Sequence, residues 1–90
     1  MIESLPAFLV YLSGEKNASP HTITAYQGDL TEFMQFLQQW NLPAEQVDHQ
    51  LIRWYLASLT HRGLAKKSVA RKLAAIRAFY RFLLQRKLVS

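Results

Sequence analysis

The chain has no cysteine, only three glycines and three prolines, and no acidic residue after Asp48. Without cysteine there is no disulfide framework and no cysteine-ligated zinc, which fits a reducing compartment. Scarce Gly and Pro, with 50% of residues hydrophobic, mark a folded domain rather than a disordered tail. No apolar run approaches the ~20 residues of a membrane span, and the acidic, polar-interrupted start lacks the basic n-region of a secretory leader. A cytoplasmic protein with no membrane partner is expected. His21, His49 and His61 stand singly, without metal-ligand spacing. No nucleophile elbow, paired-carboxylate arrangement or Gly-rich phosphate loop is present. No catalytic residue, metal, cofactor or small-molecule substrate is therefore expected of this chain.

What is present is a strong charge asymmetry. All six acidic residues lie before residue 50 and ten of the eleven basic ones after it, giving formal charges of −5 for residues 1–50 and +10 for residues 51–90. A field of that kind suits a polyanion. Duplex nucleic acid carries about one negative charge per ~1.7 Å of axis, and clustered Lys and Arg gain affinity by releasing its counterions. The same asymmetry also fits a solvated face that keeps a small domain soluble.

Four segments carry helical periodicity and none alternates as a strand with one wet face, so the expected class is all-α, one compact four-helix domain. The first helix runs from about Ser4 and fades at Gly14, packing as a lid. The second opens at Ser19-Pro20, a capping hydroxyl followed by a proline whose missing N–H costs nothing in the first turn. Its stripe is Ile23, Tyr26, Leu30, Phe33, Leu37 and Trp40, with Gly28 marking a kink or a close contact. Asn41-Leu42-Pro43 ends it. Asp48 caps a third helix, Gly63 stops it, and the fourth spans about Lys66 to Lys87 with Val69, Leu73, Ile76, Tyr80 and Leu83 inward. Trp40, Trp54, Phe33 and Phe79 are expected to centre the core, and the four tyrosines to belong to apolar stripes.

At 100° per residue, the fourth helix gathers Lys67, Arg71, Ala74, Arg77, Ala78 and Arg81 on the side opposite its apolar stripe. Two alanines among cations let a helix approach a groove floor while the long side chains reach around it; equally, they are simply good helix formers. On this face Arg71 and Arg77 are expected to serve contact and not stability. Lys66 and Ser68 lie in the first turn, where free N–H groups favour a phosphate. The Ser19-Pro20-His21-Thr22 turn also admits two readings, a plain cap or a second phosphate contact.

The segment Ser19 to Tyr26, followed by Asp29-Leu30, resembles the "SxNTxxAYxxDL" opening of tyrosine-type site-specific recombinases of the Xer and integrase kind. The run from Arg62 to Leu83 is similar to their "RGLSxxSIxRxLSAIRSFYxFL" helix, and the two blocks agree in order and separation across nearly the whole chain. The resemblance implies a SAM-like four-helix core-binding domain over residues 1–90. Such a domain clamps duplex DNA while a separate C-terminal domain, absent here, supplies the catalytic Arg, Lys, His and Tyr. It implies DNA contacts from Thr22, Lys66, Lys67, Ser68, Arg71, Lys72 and Arg77, and further recombinase protomers as partners. Lys72 fits least well, since it falls near the apolar edge of its helix. His21 replaces the usual Asn, and Ala65 stands where the family prefers a capping Ser, a change costing roughly 1 kcal/mol. The alternative, from another class, is a small helical module that docks a protein.

Overall fold

Capping chemistry sets the helix boundaries in a computed structural model that describes residues 4–87. Helix α1 (Leu5–Gly14) takes Pro6 into its first turn. Helix α2 (Pro20–Gln39) starts from Ser19, whose extended backbone (φ −68°, ψ 155°) leaves its Oγ 3.2 Å from the Thr22 N–H it caps. It ends in a Schellman closure: Asn41 adopts a left-handed φ of 52° and the Leu42 N–H reaches the Leu37 carbonyl at 2.9 Å. A 3-10 turn, Ala44–Gln46, follows Pro43. Helix α3 (His49–His61) is capped by the Asp48 carboxylate, which accepts from the Leu51 N–H at 2.9 Å. Gly63, at φ +89°, lets the Leu64 N–H turn back to the Leu59 carbonyl, a conformation that a Cβ disfavours. Helix α4 (Lys66–Gln85) begins at Ala65, which offers no side-chain cap. Gly28 lies inside the continuous α2, and a Cβ there would meet nothing within 4 Å; nothing in the structure explains its choice.

The four helices form a slab 18 Å thick, in which α2 packs against α1 and α4, and α4 against α2 and α3. Phe8, Phe33, Phe79, Phe82, Leu30, Leu59, Ile76 and Leu83 are fully buried. Helix α1 does more than cover this core: the Phe8 ring sits 5.3 Å from Phe79 and 5.4 Å from Phe82, edge-on or tilted, the geometry that aromatic quadrupoles favour. On the other side Phe33 meets Tyr55 at 5.0 Å. The Tyr80 hydroxyl donates to the Ala44 carbonyl at 2.7 Å, fastening the 3-10 turn to α4.

Two sequence expectations are corrected here. Trp40 and Trp54 do not centre the core; they are 52% and 47% exposed and stack edge-on with each other at 5.2 Å on the surface. The inward face of α4 is also turned by ~80° from the expected one. Its buried residues are Lys72, Ala75, Ile76, Phe79, Phe82 and Leu83, while Val69, Leu73 and Tyr80 lie half-buried at the rim. Two phenylalanines that dock on Phe8 carry more apolar area than Val69 and Leu73, so the helix rolls to bury them.

Candidate nucleic-acid interface

The roll of α4 decides which cations reach solvent. Lys66, Lys67, Ala70, Arg71, Ala74, Arg77 and Arg81 are exposed along one side, with Ala78 half-buried beside them. Among the described residues no carboxylate lies within ion-pair distance of Lys66, Lys67, Arg77 or Arg81. These four carry the free positive field of the helix. Ser68, in the first turn of α4, is half-buried.

Helix α2 runs antiparallel beside this face. Asp29 faces Arg71 near the start of α4, and Thr22 and Tyr26 face Ala78 and Arg81 further along, around a cleft of about 250 Å³ that Lys16 also lines. Thr22 is partly engaged already: its N–H is capped by Ser19 Oγ, and its Oγ1 accepts from the Ser19 hydroxyl at 3.1 Å. The Thr22 hydroxyl proton remains to donate outward. The cap therefore operates whether or not the turn also meets a phosphate. Arg81, missing from the residues singled out by motif, sits one turn beyond Arg77; it lines this cleft and, with Arg77, a second one where Val47, Ile52 and Tyr80 alternate with Glu45, Asp48 and His49.

Arg71 and Lys72 have a different placement from the rest of the basic set. The Arg71 guanidinium is held side-on by Asp29, Nε to Oδ2 at 2.9 Å and Nη2 to Oδ1 at 2.8 Å. Lys72 is 8% exposed and donates to Asp29 Oδ1 at 3.0 Å, with Glu32 Oε1 at 3.4 Å. Its ammonium lies inside the domain, against the α2 carboxylates. Glu32 also accepts from the Tyr55 hydroxyl at 3.1 Å and stands 3.6 Å from Arg62, so one polar network joins α2, α3 and α4. The expectation that Arg71 makes no contribution to stability is corrected by this geometry: a buried carboxylate depends on it. An Asp on one helix and adjacent Arg and Lys on another, more than forty residues apart in sequence, give no local signal that would pair them.

Electrostatics follow from burial. Desolvation pushes the Asp29 carboxyl up, but hydrogen bonds and charge from Arg71 and Lys72 outweigh it and hold the group below its ordinary 3.8. Burial, aided by Glu32, raises the Tyr55 phenol far above its usual range, and burial with Glu45 does the same for Tyr80. Both phenols are donors to fixed acceptors and are kept protonated, the reverse of an activated nucleophile. Among the described residues no helix is long and apolar enough to cross a membrane, and no His, Asp or Glu cluster is placed to hold a metal.

Comparison with known proteins places this geometry in a lineage. The family model "Phage integrase, N-terminal SAM-like domain" matches residues 5–87. The chain is 44% identical over 84 residues to tyrosine recombinase XerC of Halalkalibacterium halodurans, an alignment covering 92% of this chain and 28% of the relative. It is 47% identical over 88 residues to XerC of Pelobacter propionicus, covering 94% and 29%, and 43% identical over 81 residues to tyrosine recombinase XerD of Bradyrhizobium diazoefficiens, covering 90% and 26%. The chain thus spans less than a third of the length of these relatives. No solved structure matches it significantly.

Proposed function

Because the chain belongs to the family of phage-integrase N-terminal SAM-like domains, we propose that it is the core-binding part of a tyrosine-type site-specific recombinase. It lays the exposed side of α4 and the first turn of α2 against duplex DNA and holds the duplex for strand exchange by a separate catalytic domain, working with further protomers. The observation that carries this reading is the row Lys67, Ala70, Ala74, Arg77 and Arg81: cations without carboxylate partners, interleaved with methyl groups, on one face of a five-turn helix. Long cations reach phosphates, and the alanines admit the backbone between them to a groove. By itself the domain binds and does not cut, since its best-buried tyrosines are held protonated as hydrogen-bond donors.

Gel-shift titration of a duplex at several salt concentrations tests the reading. Arg77→Ala and Arg81→Ala should each weaken binding and make the log–log salt slope shallower by about one, with the melting temperature unmoved. Unaltered affinity in both variants would remove this face from the interface. The exposed Trp40–Trp54 pair favours a second role in protein contact, and docking there should respond only weakly to salt.

A further inference from the structure

Arg71 differs from every other exposed cation of α4 in having its plane fixed. Asp29 uses the Nε and Nη2 side of the guanidinium. A guanidinium carries five N–H donors in a rigid fork, so the end-on edge, made of Nη1 and the second hydrogen of Nη2, has no partner among the described residues. The Asp29 side chain is 2% exposed and that of Arg71 45%. The carboxylate is therefore buried while the guanidinium keeps access to solvent, on the side of α4 that carries the exposed Lys67, Ala70 and Ala74.

We infer that Asp29 is a positioning residue that presents Arg71 as a fixed two-donor edge for a guanine, read through O6 and N7 in the major groove. This rests on the DNA-binding reading above and adds to it a source of base preference. Three physical points favour a base edge over a phosphate. Asp29, Arg71 and Lys72 together carry a net charge of only +1, so the pull of Arg71 on a polyanion is largely offset while the direction of its N–H groups is kept. A guanidinium pinned in two places cannot swing to follow a backbone, as Lys66, Lys67, Arg77 and Arg81 can. The flanking alanines have the shortest side chains on the face, so this is where the helix comes nearest a groove floor.

The test uses a pool of short duplexes with a randomised centre, bound by the chain at fixed low salt and sequenced from the bound fraction. The wild-type chain should enrich a G·C pair at one position by about 5- to 150-fold over the other pairs, the range for one bidentate contact. Arg71→Lys keeps the charge and leaves Asp29 paired with Lys72; it should keep the salt slope and lose the preference. Asp29→Asn should also lose it, because the amide puts a donor NH2 where one of the two accepting oxygens stood. Circular dichroism establishes that each variant is folded, and if Asp29→Asn is not, Arg71→Lys and Arg71→Ala decide alone. A preference that survives in Arg71→Lys, or a wild-type chain that binds without any, overturns the inference and leaves the DNA-binding reading intact. A wild-type chain that binds no duplex at low salt overturns that reading instead.

Discussion

Replacing Lys72 by methionine tests the polar network at its most buried point. The substitution keeps most of the aliphatic stem and the volume, and removes only the ammonium that lies 3.0 Å from Asp29 and 3.4 Å from Glu32. Stripping a buried charge of its partner costs about 3–5 kcal/mol when nothing else compensates. Here Arg71 still holds Asp29 through two hydrogen bonds, so about 2–3 kcal/mol is expected, a large fraction of the ~5–13 kcal/mol available to a domain of this length. Urea denaturation followed by circular dichroism measures it. The pH dependence supplies a second signature. Because the folded state holds the Asp29 pKa below 3.8, its contribution is present in full above the unfolded value and is lost as pH falls through the lower, folded one. In Lys72→Met the folded pKa moves back up toward that of the unfolded chain, so stability should fall less steeply between about pH 5 and pH 2. A change below ~0.5 kcal/mol at neutral pH, with an unaltered acid limb, would refute the claim that this pair stabilises the domain.

Two further outcomes follow from the core and the caps. Phe33→Ala should cost about 3–5 kcal/mol and Leu30→Ala about 2–5, read by the same denaturation, since both side chains are fully buried. Ala65→Ser should stabilise by about 1 kcal/mol, because the residue already has the extended backbone of a cap (φ −64°, ψ 149°) and lacks only the oxygen; a calorimetric melt is sufficient to see it.

Helix ends were legible in the sequence because each is written in adjacent residues: Ser19-Pro20, Asp48 and Gly63 act on their own backbone neighbours. The exposed basic side of α4 was legible too, being a property of one helix. Its inward face was not, for periodicity ranks Val69, Leu73 and Tyr80 as highly as Phe79 and Phe82, and only the docking of Phe8 from α1 chooses between them. Trp40 and Trp54 were misplaced for a related reason: hydrophobicity alone does not reveal that α2 and α3 meet through Phe33, Phe36 and Tyr55 and leave both indoles outside. Lys72 falls on the buried side of its helix and looks wrong there until Asp29, from another helix, is brought beneath it.

The position of α4 in the packing also bears on how the chain is made. Of the fifteen buried apolar residues described, five (Ala75, Ile76, Phe79, Phe82 and Leu83) come from this last helix, and through them it touches α1, the partner that Phe8 needs. At ~5–20 residues per second of synthesis, the 20 residues of α4 take roughly 1–4 s to add, during which the first three helices lack its side chains. They meet one another, α1 against α2 and α2 against α3 through Phe33, Phe36 and Tyr55, but the core stays open on the side that the last helix fills. Until α4 is made, Asp29 and Glu32 lack the Arg71 and Lys72 they pair with in the fold, so the acidic first half stays charged while it waits for the basic helix.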